Sequence, residues 1–171
     1  MSSGLAVRVS EIETAELEPT VERYTEEPQE ISEYFERFDE LCEALKELDE
    51  IKGDCSQPNW EGNDELPVTT ETIGKARKLL FHAVRLQNTI DMPYVTAMAS
   101  GWIELEWYKE RGYRFAVRLN GRGVFIFSGL FGKETDEGGN DVEAEAYGQG
   151  TFLKDTLPGE IKSNLHRLFD I

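Results

Sequence analysis

Basic residues are scarce in this chain. Of its 171 residues, 18 are Lys or Arg against 34 Asp or Glu, a formal net charge of −16. Gripping nucleic acid needs clustered Lys and Arg to neutralise phosphates, so a nucleic-acid grip through the acidic segment is excluded. The same shortage excludes a polybasic membrane binder. Long apolar runs are missing as well, and none approaches the roughly 18 residues of a membrane span. Residues 1–10 lack the apolar stretch of a signal peptide. These absences predict a soluble, cytoplasmic protein without membrane contact. Cysteine is limited to two residues, too few for a disulfide framework. Histidine is limited to His82 and His166, and neither has a Cys, His or carboxylate at ligand spacing on its own element. No metal and no cofactor are therefore expected.

What is abundant is acid, and it is unevenly placed. Residues 1–66 hold 20 acidic and 5 basic residues, whereas residues 67–171 hold 14 and 13. Such asymmetry marks a tail or a solvated helix face. It serves solubility in the plainer reading, and docking on a basic partner surface in the sharper one. Residues 1–27 carry only scattered apolar positions among Glu, Thr and Pro, and bury too little to offset ordering entropy. They read as a mobile acidic arm. Residues 28–171 read as a single domain.

Hydrophobic periodicity orders that domain. Ile31, Phe35, Phe38, Leu41, Cys42, Leu45 and Leu48 recur at spacings of 3 and 4, which predicts a helix from residue 28 to about residue 51. Its opposite face carries Glu33, Glu36, Glu40, Glu43 and Glu47. Cys42 falls on the apolar stripe and reads as core. Residues 52–68 form a loop with Trp60 as its anchor and Cys55 as a surface thiol. Thr69 or Thr70 then caps a second helix, which Met92-Pro93 closes. After Pro93 the period drops to 2. Strands are predicted over 94–99, 102–108, 113–119, 122–128 and 142–147, with a loop over 132–141. Thr156-Leu157-Pro158 opens a last helix with Ile161, Leu165, Leu168 and Phe169 on one side. Two helices, an antiparallel meander of four to five strands and a C-terminal helix make an α+β fold.

Turn chemistry then suggests a register. Asn120-Gly121 is a strong two-residue hairpin signal. It pairs Leu119 with Arg122 and Val117 with Val124. Pairing Leu105 with Phe115 in the preceding hairpin keeps apolar residues together. The outer face then carries Trp102, Glu104, Glu106, Arg114, Arg118, Phe125 and Phe127, with Glu106 opposite Arg114 and Trp102 opposite Arg118. Two Phe on a solvent-side face predict a cover, supplied by the chain itself or by a partner, since aromatics and Arg are enriched in interface cores.

Catalytic motifs are not evident. Glu104 and Glu106 superficially resemble a carboxylate pair, but neighbouring Arg residues favour ionised, structural carboxylates. Gly121-Arg122-Gly123 and Gly138-Gly139 lack the spacing and Lys of a phosphate loop.

Trp60-Glu61-Gly62, the capped Ala/Leu-rich segment from Thr69 to Leu80, Pro93, then Gly101, Ile103, Leu105, Glu106 and Trp107 form a recognisable series. In this the chain resembles a group of small, largely uncharacterised bacterial and phage-associated proteins with a Trp-acid-Gly loop and an I-x-L-E-W strand. The resemblance spans under half the chain and implies a setting in toxin–antitoxin or phage-defence systems.

The reading that follows is a non-enzymatic, acidic regulatory or inhibitory subunit of a defence-related complex (toxin–antitoxin, CRISPR or counter-defence). Its partner is a protein with a basic surface. Its contacts are Glu33, Glu36, Glu40, Glu43 and Glu47, with Trp102, Arg114, Arg118, Phe125 and Phe127 as a second surface. Three alternatives stand beside it: a nucleic-acid mimic occupying a basic groove, an enzyme built from Glu104, Glu106 and His82, and a homodimer through Phe125 and Phe127.

Overall fold

The computed structural model describes residues 29–86, 90–135, 138–152 and 156–169, with side chains from residue 38 onward. The expected arm over residues 1–27 lies outside the described residues. Three helices, α1 (Gln29–Asp54), α2 (Thr70–Val84) and α3 (Gly159–Phe169), accompany five strands: β1 (Tyr94–Ala97), β2 (Ile103–Glu110), β3 (Tyr113–Leu119), β4 (Val124–Thr135) and β5 (Asp141–Thr151). The strands form one antiparallel sheet in sequence order. The fold is α+β, as the periodicity predicts.

Local chemistry explains the helix ends. The Thr69 hydroxyl accepts a hydrogen bond from the Thr72 amide at 3.2 Å and caps α2. Glu71 follows in the first turn, where a carboxylate complements the dipole. α2 stops at Val84, well short of Pro93, with a turn at Arg85 and Leu86. α1 buries Leu41 and Leu48 of the predicted stripe, with Leu45 packed beside them, and adds Ala44. Phe38 is 55% exposed, and Cys42 is exposed instead of core. At 1.5 Å per residue α1 reaches about 39 Å and α2 only about 22 Å, so α1 outruns α2 near Phe38. Cys42 lies level with the buried Leu41 and Ala44 but is turned about 100° from Leu41 around the helix, off the packed face. An Arg77–Asp49 ion pair ties the two helices.

All three helices pack on one face of the sheet. α1 lies against β1 and α2, α2 against β2 and β3, and α3 against β3 and β4. Ile103, Leu105, Trp107, Phe115, Val117 and Leu119 point to them, and each is 0–1% exposed. Burying one such side chain contributes about 1.5–3 kcal/mol.

The register departs from the expected one. Leu119 pairs with Phe125, Val117 with Phe127 and Phe115 with Gly129. Phe125 (1% exposed) and the half-buried Phe127 therefore face the core, not the outside. The turn explains the shift. Asn120 does not begin a two-residue loop. Gly123 donates to the Asn120 carbonyl at 2.9 Å, and Asn120 donates to the Val124 carbonyl at 3.1 Å. Asn120 Oδ1 also accepts from the Arg122 and Val124 amides. The loop has three residues and ends on Gly123 at φ +76°, the glycine-bulge form of hairpin. An odd change in pairing swaps faces.

Two rings then fill space that β5 leaves open. Phe125 lies opposite Gly150, and Phe127 opposite Gly148. A Cβ placed on either glycine would stand 2.6 Å or 2.7 Å from the facing ring. The β2–β3 register moves by two residues, so faces are kept: Leu105 pairs with Val117 and Glu104 with Arg118. The predicted loop over 132–141 is shorter, because β4 continues to Thr135 past a bulge between Leu130 and Lys133.

Candidate interaction surface

The face of the sheet away from the helices is uncovered by any described element. Register places Tyr94 on β1, Glu104, Glu106 and Tyr108 on β2, and Arg114, Ala116 and Arg118 on β3. Ile126, Ser128 and Leu130 on β4 and Glu145 and Tyr147 on β5 complete it. Arg118 forms an ion pair with Glu104. Arg114 Nη1 lies 4.0 Å from Glu106 Oε1, diagonally across the ladder. Such exposed pairs contribute about 0.2–1 kcal/mol each, too little to explain the fold. Around them lies a cleft of about 410 Å³ whose far wall is Glu145 and Tyr147. Tyr94, Tyr108 and Tyr147 are 69%, 49% and 82% exposed. Rigid aromatic side chains beside Arg are the residue types that anchor protein interfaces.

Of the residues expected on this surface, Arg114 and Arg118 are there. Phe125 and Phe127 are not. Trp102 precedes β2 and is half-buried at the sheet's end, beside Leu66, Pro67 and Arg122. Arg118 pairs with Glu104 and not with Trp102. The three tyrosines and Glu145 were not singled out by sequence. Tyr108 shares the parity of Glu104 and Glu106, which was the available signal. Placing Tyr147 needs the faces of β4, which the Asn120–Gly123 turn sets, and the β4–β5 register.

Glu40, Glu43 and Glu47 are exposed on α1, with Asp39, Asp49 and Glu50. Glu33 and Glu36 lie on α1 where side chains fall outside the described set. This acidic row belongs to the helix layer, across the sheet from the tyrosine face. His82 is also on the helix side, edge-on to Phe152 with ring centroids 6.1 Å apart. The sheet therefore separates it from Glu104 and Glu106, and the three do not converge. Among the described residues no group of three or more His, Cys, Asp or Glu is placed to hold a metal ion. Among the same residues, no helix is long and apolar enough to cross a membrane.

The Trp60 loop is held by its own polar groups. Trp60 Nε1 donates to the Leu66 carbonyl at 3.2 Å. Glu65 is 2% exposed and accepts from the Glu61 and Asn63 amides at 3.2 and 3.1 Å. Burial pushes its carboxyl up. Hydrogen bonds from the amides of Asn63, Glu65 and Glu61 and from the Asn63 side chain outweigh that, holding it below the ordinary value. Cys55 is buried, contrary to the surface position expected. Desolvation pushes its thiol up, and the nearby Asp54 and Glu61 carboxylates add to this.

No protein-family model matches the chain, and neither the curated proteins nor the solved structures give a match.

Proposed function

We propose that this chain is a non-enzymatic binding subunit that regulates or inhibits a protein partner, with the open face of the sheet as its contact surface. The observation that supports this reading is the one-sided sheet: the described helices lie on one face, leaving Tyr94, Tyr108, Tyr147, Arg114 and Arg118 together on the other. The acidic row of α1 lies on the opposite side, so it serves approach to a basic partner more than the contact itself. Like charges along a helix raise encounter rates and make them salt-dependent. A setting in bacterial or phage defence belongs to the same proposal and rests on the resemblance of the Trp60 loop and the I-x-L-E-W strand.

The test is affinity capture from a native lysate at low salt, comparing the unaltered chain with a Tyr108→Ser/Arg114→Glu/Tyr147→Ser variant. These side chains are exposed, so the fold should hold. The expected result is a partner captured by the unaltered chain and lost by the variant. Equal capture by both would remove the open face from the interaction.

A further inference from the structure

Among the described residues the sheet ends in a strand with no partner on its far side. β5 is the last strand in the order, and among the described residues it pairs with β4 alone. It runs 11 residues, roughly 36 Å, about twice the common strand length. Proteins usually block such edges with charged side chains, Pro, a bulge or a short strand. The charges on β5 are the carboxylates Asp141, Glu143 and Glu145, which repel an acidic segment but not a basic one. β5 has no Pro, Lys or Arg, and the extra residue of its hairpin falls on β4. The other edge differs: β1 has four residues and follows Pro93.

The two sides of β5 differ in chemistry. Asp141, Glu143, Glu145 and Tyr147 are exposed on the outer side. The inner side carries small residues, Ala144, Ala146, Gly148 and Gly150. Beside it, between β5 and α3, lies a groove of about 770 Å³ in which Phe127 and Ala146 are flanked by Glu145, Tyr147, Glu160 and Asn164. A strand added at this edge would set alternate side chains on the two sides. One set would stand beside carboxylates, the other beside the half-buried Phe127.

We infer that β5 accepts an extended segment of a partner protein in which Lys or Arg alternates with apolar residues. Main-chain hydrogen bonds to the open edge hold the segment. Glu143 and Glu145 select its basic positions, and the Phe127 groove takes its apolar ones. A second copy of this chain fits less well, because it would bring another acidic strand and another net charge of −16. The inference rests on the protein-binding reading and names the chemistry of the partner.

The probe is a synthetic ten-residue peptide of alternating Lys and Val, titrated into the full chain and followed by amide hydrogen exchange. Controls are the same residues in two blocks, a Glu–Val peptide, and two Lys–Val versions N-methylated at the Lys or at the Val amides. The Lys–Val peptide should slow exchange along β5 at least tenfold at saturation. The block and Glu–Val peptides, and at least one N-methylated version, should bind at least tenfold more weakly. A Glu143→Lys/Glu145→Lys chain should prefer the Glu–Val peptide. Four results would each overturn the strand-addition proposal: no binding, protection away from β5, equal binding of the block or both N-methylated peptides, or a doubled mass with β5 protected without peptide. None of them bears on whether a Tyr108→Ser/Arg114→Glu chain, which leaves β5 and its groove unaltered, loses its captured partner, so the two proposals fail separately.

Discussion

The inward position of Phe125 can be measured through its partner Gly150. Phe125 is 1% exposed, and truncating a buried Phe to Ala costs about 3–5 kcal/mol through lost burial and the cavity left behind. For a domain of this size each kcal/mol moves the melting temperature by about 2–4 °C, so Phe125→Ala should lower it by roughly 6–20 °C. Ile126 lies one residue on and points outward, half-exposed. Ile126→Ala should cost about 1 kcal/mol or less. Gly150 supplies a sign change. A Cβ there would stand 2.6 Å from Phe125 Cζ, so Gly150→Ala should destabilise the unaltered protein. In the Phe125→Ala background the ring is gone, and the same Gly→Ala change should become neutral or stabilise by about 0.4–1 kcal/mol. The coupling falls in the range of about 0.5–3 kcal/mol expected for residues in contact. Urea unfolding followed by circular dichroism, with an unchanged m-value, reads the unaltered protein and all four variants. If Ile126→Ala cost more than Phe125→Ala, or the two changes at 125 and 150 simply added, the three-residue hairpin and its register would be wrong.

Further outcomes follow from the turns, the thiols and the buried carboxylate. Gly123→Ala should destabilise by about 1–3 kcal/mol in the same urea assay, because Gly123 sits at φ +76° and a Cβ would stand 2.6 Å from the Phe152 carbonyl oxygen. Cys42 should react with a thiol reagent in the native protein, while Cys55 should react only on unfolding, since it is buried and its thiol is pushed up. Glu65 is held below its ordinary value when folded, so its contribution is fully present above the unfolded carboxylate value and is lost as pH falls through the folded one. Protection factors over residues 59–65, taken relative to the intrinsic exchange rate at each pH, should therefore fall in acid before those of the sheet do. Glu65→Gln should show fast exchange there already at neutral pH.

Much of this architecture is legible in the sequence. Spacings of 3 and 4 mark α1 and α2, and the switch to period 2 after Pro93 marks the meander. The Glu104, Glu106, Arg114 and Arg118 face follows from parity, and a two-residue error in pairing leaves it intact because faces repeat every two residues. The β3–β4 error is odd, so it turns Phe125 and Phe127 to the wrong side. Its cause is local. Asn120-Gly121 matches the two-residue hairpin signal, but Gly123 and not Gly121 takes the left-handed position, and Asn120 Oδ1 ties the amides of Arg122 and Val124. A correcting signal lay downstream: Gly148 and Gly150 alternate on β5 in step with Phe127 and Phe125, the pairing of small with large that a core face requires. Of the surface tyrosines Tyr147 depends on that register, whereas Tyr108 follows the parity of Glu104 and Glu106. Periodicity gives an apolar stripe but neither its packed width, which leaves Cys42 beside the buried Leu41 and Ala44 yet exposed, nor the length along which a neighbour covers it, which leaves Phe38 exposed.

The proteins' own aromatic residues provide reporters for both sides of the sheet. Tyr94, Tyr108 and Tyr147 are exposed on the open face, and Phe38 and Phe81, 55% and 48% exposed, stand on the helix layer. Hydroxyl-radical footprinting of the full chain, with and without its captured partner, compares them in one experiment. Contact through the open face predicts that oxidation of Tyr108 and Tyr147 falls at least several-fold on complex formation while Phe38 and Phe81 keep their rates. Protection of Phe38 and Phe81 with Tyr108 and Tyr147 unchanged would contradict it.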